Sequence, residues 1–244
     1  MWFIHPYHWR SRYDSDNDRL VFEYLHIDDI GGDNWAENVN ARIPCTDWGP
    51  LKADFTVRGD SDGLPATIHY SDGTDTFIAE SDEATETGWA WENTTTVFDA
   101  SDADTYTRVN LAANRTSPVP KLTATAVYDD TTNIYVQSKI QSVPGNITGW
   151  GNAVDISNTG NTDFIYGQSI RSMGVAGSDK KDLMVVWKEG TAIYSRYLDG
   201  VAWEDIQTVD VVASTGASHF DFEHGEVAGE NEGHVIFVDA DGTI

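Results

Sequence analysis

Asp14, Asp16 and Asp18 stand at alternate positions, the spacing at which a calcium loop presents its first three oxygen ligands. Such a loop wants Gly at its sixth position and Glu at its twelfth. Here those positions hold Arg19 and Leu25, so an EF-hand is excluded. Asp60-x-Asp62-Gly63 and Asp239-x-Asp241-Gly242 are shorter fragments of the same kind. The expectation is no cofactor, or a structural Ca²⁺ at Asp14, Asp16 and Asp18 or at Asp239 and Asp241. The His residues show no metal spacing. His219 and His224 are five apart on an expected strand, which puts them on opposite faces. Asn93, Asn114 and Asn146 open Asn-x-Thr sequons, acceptors for glycosylation on an exported surface protein. No Ser-His-Asp set, phosphate loop or dinucleotide fingerprint is present. The single Cys45 permits no internal disulfide and reads as a reduced, partly buried small hydrophobe.

The elements that must position these groups repeat. Trp35, Trp91, Trp150 and Trp203 each open a short polar strand, at gaps of 56, 59 and 53 residues. A second marker, an apolar run ending on an acidic turn, falls at Tyr13, Tyr70, Tyr128, Trp187 and Val238. Its gaps are 57, 58, 59 and 51 residues. Two markers sharing one period indicate a repeat protein. In the fourth repeat the expected strands are Ser169 to Ala176 (A), Leu183 to Trp187 (B), Ala192 to Tyr197 (C) and Trp203 to Val209 (D). Strand B is apolar on both faces, as in a covered sheet, and strand D is mixed, as at an exposed edge. Four strands, dry in the middle and wet at one end, make a propeller blade.

The fold class is therefore all-β: a β-propeller of four-stranded antiparallel blades, about four and a half present. The expected blades are 1–46 (partial), 47–100, 101–157, 158–212 and 213–244 (partial). The first is expected to hold strands B, C and D only, at Tyr7 to Tyr13, Arg19 to His26 and Trp35 to Ile43. The last holds strand A, His219 to Val227, and strand B, His234 to Val238. The ring would be completed by further blades, by pairing of the termini, or by a second copy of the chain. In an up-and-down blade the B–C turns share one rim, so Asp72, Asp75, Asp129, Asp130 and Glu189 join the aspartates above in a crown of carboxylates. That crown fits a cation or a cationic ligand; solvation and ordinary turn chemistry explain it equally. The connection from about Ser138 to Gly149 is expected to be the longest C–D loop.

Leu183 to Asp210, with its apolar run, acidic turn, IYSRYLDG and following Trp, resembles a blade of the sialidase-like (BNR-type) β-propellers. The strict Ser-x-Asp-x-Gly-x-Thr-Trp box of that family is absent, and Ser71-Asp72-Gly73-Thr74 is a distant echo of it. Arg42-Ile43-Pro44 resembles its Arg-Ile-Pro motif. The resemblance implies a propeller and, for an enzyme, an arginine cluster holding a carboxylate. Arg58, Arg108 and Arg171 lie in or beside expected A strands of successive blades, the strands that line the channel. Their guanidinium forks suit that ligand.

Composition bounds the function. Forty acidic and 15 basic residues give a net charge of −25, and 28 of the acids are Asp. This excludes a generic nucleic-acid binder and disfavours an anionic membrane surface. Such a surface repels itself in dilute buffer, and salt screens the repulsion, which points to adaptation to high salt. No stretch approaches the roughly 20 apolar residues of a spanning helix, and no basic-then-apolar leader opens the chain. The expected function is non-catalytic recognition or adhesion at an extracellular or virion surface, with a glycan or surface protein as partner. The alternatives are a sialidase-like glycoside hydrolase and a purely structural assembly protein.

Overall fold

The computed structural model describes residues 2–4, 7–26, 28, 35–44, 53–57, 66–81, 90–101, 103–114, 121–144, 146–157, 165–172, 183–199, 202–210, 220–227 and 230–237. Among these there is no α-helix, and antiparallel sheets follow one another along the chain. The first sheet holds β1 (Trp2–Ile4), β2 (Tyr7–Asp14), β3 (Arg19–His26) and β4 (Ala36–Glu37), with β5 (Ile43–Pro44) also on β3. The second holds β6 (Ala53–Val57), β7 (Ala66–Ser71), β8 (Thr76–Ser81) and β9 (Trp91–Phe98). The third holds β10 (Thr105–Asn114), β11 (Lys121–Asp129), β12 (Ile134–Ile140) and β13 (Val154–Asp155). The fourth holds β14 (Ile165–Ser172), β15 (Leu183–Glu189), β16 (Ala192–Asp199) and β17 (Ala202–Trp203), with β18 (Gln207–Asp210) also on β16. The fifth pairs β19 (Phe220–Val227) with β20 (Glu230–Phe237).

Side-chain alternation stacks these sheets face to face. Leu183, Val185 and Trp187 on β15 join Val127 and Val136 of the third sheet in one buried cluster. Met184 and Val186 point the other way and join Phe222 of the fifth. Every residue of β15 is buried, as its two-sided apolar run requires. A third cluster, with Ile78, Phe98, Leu111 and Leu122, fills the interface between the second and third sheets. Each such side chain contributes about 1.5–3 kcal/mol on burial. The first strands β6, β10, β14 and β19 neighbour one another in turn, as the inner strands of blades around an axis do.

Polar stitches cross the same interfaces. Trp91 Nε1 donates to Ala41 O at 3.1 Å, and Trp203 Nε1 donates to Ser138 Oγ at 3.0 Å. Lys139 Nζ donates to Val97 O at 2.6 Å. Arg196 donates to Glu204 O in its own sheet and to Ile156 O of the third at 3.1 Å.

Some boundaries differ from the sequence reading. The first sheet carries the extra strand β1, paired Trp2↔Trp9. Strand A of the fourth blade begins at Ile165, ahead of the expected Ser169, with a register shift between Ile165 and Gly167; the last four residues of the expected Ser169 to Ala176 lie outside the described residues. Strand D there splits into β17 and β18. The expected Ser138–Gly149 loop is shorter, since β12 runs to Ile140 and Gln141 bridges Trp150. Strand B of the last sheet begins at Glu230; its polar start, Glu230-Asn231-Glu232-Gly233, carries no apolar signal. Cys45 lies outside the described residues.

Candidate functional site

On the β2–β3 hairpin, Arg10 pairs directly with Glu23, and Arg12 stands two residues along the same face. Arg10 Nε donates to Glu23 Oε2 at 2.7 Å, and Arg12 Nε donates to Oε1 at 2.8 Å. The Glu23 side chain is 9% exposed; those of Arg10 and Arg12 are 44% and 46% exposed. Burial alone would raise the Glu23 carboxyl. The bonds from Arg12 and Arg10 outweigh it and hold the group below its usual range, so it stays ionised. Arg12 is held above its usual range, chiefly by its bond to Glu23.

The surroundings fix this triad. The Arg10 guanidinium lies 4.2 Å over the Trp35 ring, a cation–π contact that orients both. Glu37 pairs with Glu23 in register, a like-charge contact relieved by Arg42, whose Nε donates to Glu37 Oε1 at 2.7 Å. Arg19 donates to Asp14 Oδ2 at 2.8 Å. On the opposite face of β3, Phe22 meets Trp91 of the second sheet edge-on at 5.3 Å. The charged face therefore looks away from the second blade. The arrangement offers two half-open guanidinium forks on a fixed anionic base, beside a partly open indole.

The residues singled out from sequence fall as follows. Asp14 Oδ2 is engaged by Arg19 and, at 3.0 Å, by Asn17, which together hold its carboxyl low. Asp18 has a positive φ of 46° and accepts from Tyr13 Oη at 2.7 Å; Asp16 is exposed in the turn between them. Among the described residues no three His, Cys, Asp or Glu gather as a metal site. Asp239 and Asp241, with Arg58, lie outside the described residues. Arg108 sits in the β10 bulge between Thr107 and Asn110, half-buried at φ 51°, and burial lowers its pKa. Arg171 stands opposite Met184 on the neighbouring inner strand β14. Asn93 is exposed on β9, and Asn114 ends β10. Asn146 Oδ1 accepts from the backbone and hydroxyl of Thr148 at 3.0 and 2.7 Å.

The crown aspartates do turn chemistry. Asp72 Oδ1 accepts from the N–H groups of Thr74 and Asp75, both at 2.9 Å. Asp130 Oδ1 does the same for Thr132 and Asn133 at 2.9 and 2.6 Å. Asp75 Oδ1 accepts from Ala100 N at 2.8 Å, tying a B–C turn to the connection leading into the next blade on the same rim.

The sequence reading passed over Arg10, Arg12 and Glu23 and took Trp35 only as a marker. The signal was present. Two arginines at alternate strand positions share a face, and Glu23 is the single acid in the run Arg19–His26.

No protein-family model matches the chain, and no curated protein matches it. Among solved structures, the chain is similar to a mutant of the Aleuria aurantia lectin in complex with Fucα1-6GlcNAc. The TM-score is 0.51 at 13% identity, over 97% of this chain and 72% of that one. The same mutant in complex with α-methyl-L-fucoside gives a TM-score of 0.48, also at 13% identity and the same coverage. The first likeness, with the stacked sheets, makes this chain a β-propeller of about four blades. The neighbour is a lectin and not a sialidase, so the sialidase-type repeat rests on the sequence pattern alone.

Proposed function

We propose that the chain is a glycan-recognition propeller, non-catalytic, acting at an extracellular or virion surface in concentrated salt. One observation carries this reading: the Arg10–Glu23–Arg12 set, half-open beside Trp35, on the face of the first blade turned from the second. Guanidinium forks hold sugar oxygens, an indole packs against the apolar face of a pyranose, and a rigid sheet fixes both. The solved neighbour, a lectin bound to a fucosylated disaccharide, supports the choice of ligand class. The acidic composition supports the salt setting, and the three sequons support export.

A glycan panel read in molar salt tests the proposal. Retention of a defined set of glycans, lost in Arg12→Gln, is expected; an empty panel, or retention untouched by that substitution, would overturn it. A fluorogenic glycoside panel tests the enzymatic alternative. Turnover abolished by changing one channel carboxylate would replace the binding reading with hydrolysis. Arg19 and Asn17 both bond Asp14 Oδ2, so calcium at Asp14, Asp16 and Asp18 would compete with them for that carboxylate or take its other oxygen. A melting temperature unmoved by millimolar Ca²⁺ would remove that site.

A further inference from the structure

We infer that the Arg10–Glu23–Arg12 face selects a saccharide bearing one oxyanion, a carboxylate or a sulfate ester, over its neutral counterpart, and takes one such ligand per chain. This rests on the glycan reading above and names the ligand class for that site.

Donors and acceptors at the face are out of balance. Sugar hydroxyls both donate and accept, so a site for a neutral sugar sets acceptors among its donors. The carboxylate between the two forks is Glu23. It already accepts at both oxygens, and 9% of its side chain is open. A guanidinium has five N–H donors and no acceptor. With each Nε committed to Glu23, the remaining donors belong to side chains 44% and 46% exposed. What faces solvent is a donor-rich surface, complementary to an oxyanion.

The charge count agrees. Arg10 and Arg12 against Glu23 leave one positive charge at the forks, and the adjoining pairs Asp14–Arg19 and Glu37–Arg42 balance internally, while Asp16 and Asp18 stand exposed at the tip of the hairpin. These forks sit on a chain of net charge −25. In dilute buffer the overall field would repel an anion; at about 1 M salt the Debye length falls to about 3 Å and only contact interactions remain. The face therefore suits an anionic sugar best in the salt that the composition favours.

Among the described residues the arrangement is not repeated. In the B–C hairpins of the second, third and fourth blades no Arg stands opposite a Glu.

Matched ligand pairs test this: methyl β-glucuronide against methyl β-glucoside, and galactose 6-sulfate against galactose, by calorimetry in molar and dilute salt. In molar salt the charged member of at least one pair is expected to bind about tenfold tighter, one equivalent per chain, a difference of about 1.4 kcal/mol. Arg10→Gln and Arg12→Gln, each leaving Glu23 one partner, are expected to abolish the preference while unchanged melting reports an intact fold. Arg12→Lys separates charge from fork geometry, since it keeps the first and loses the second. Equal or tighter binding of the neutral members overturns the inference and leaves the glycan reading standing. So does a preference surviving both Gln substitutions. Inorganic sulfate binding as well as galactose 6-sulfate also overturns it, by reducing the face to an ion site. If no sugar binds here and the wider panel is also empty, both readings fail together.

Discussion

His69 is wholly buried between the second and third blades. Its Nδ1 faces Asn110 O at 3.0 Å, and a carbonyl only accepts, so that nitrogen carries the proton. Nε2 then accepts from Thr76 Oγ1 at 2.8 Å, and Thr76 Oγ1 accepts from Phe98 N at 3.3 Å. Burial pulls the His69 pKa down to about 4, with the Asn110 bond opposing it in part. The sign of the linkage follows. Above about pH 6.5 the ring is neutral whether folded or unfolded, and stability is unaffected. Between about pH 6.5 and 4 the unfolded chain takes up the proton and the folded chain does not, so stability falls as pH falls. The full loss, reached below about pH 4, is about 3 kcal/mol. Urea midpoints measured down this range are expected to drop, and His69→Gln to flatten the drop. Parallel profiles for the two proteins would contradict the assignment. Nothing in the sequence marks His69 as different from His26, which is partly exposed, because its burial comes from a neighbouring blade forty residues away in the chain.

At the scale of elements, the B–C hairpins were legible because their signals are local: an apolar run, an acidic turn, a second run. The turn interiors were less so. The second turn residue is Gly73 at φ 105° in the second blade, but Thr131 at φ 69° in the third. A β-branched residue is strained there. Thr131→Gly is expected to raise stability by about 1 kcal/mol, seen as a higher urea midpoint at constant slope. A decrease would mean that the freedom glycine gives the unfolded chain outweighs the strain relieved; the Asp129 bond to the backbone N–H of residue 131, at 2.8 Å, is kept in either case. The short strand β1, and the division of the expected D strands into pieces such as β4 and β5 or β17 and β18, escaped the reading for a physical reason. Two to four residues show no period, and pairing with a longer neighbour is what makes them strands. The candidate site escaped for a related one. Arg10 and Glu23 are thirteen residues apart and meet only when register sets them opposite.

For the whole molecule, the tryptophan period revealed the architecture because each blade repeats one packing problem. Charge sets its working conditions. A net charge of −25 opposes compaction through self-repulsion that salt screens. The melting temperature is expected to rise as KCl goes from about 0.1 M to about 2 M, and sorbitol at equal osmolality to raise it less. A flat or falling curve in KCl would argue against the salt adaptation. The indoles have a consequence of another kind. Trp91 hydrogen-bonds to the first sheet, Trp203 to the third, and Trp150 packs on the cluster joining the second and third. Each of these three junctions thus contains its own fluorophore, bonded or packed so that parting two neighbours brings water to its ring. Variants keeping one of these three tryptophans, with phenylalanine at the chain's other eight, would turn emission wavelength into a gauge of which junction opens first.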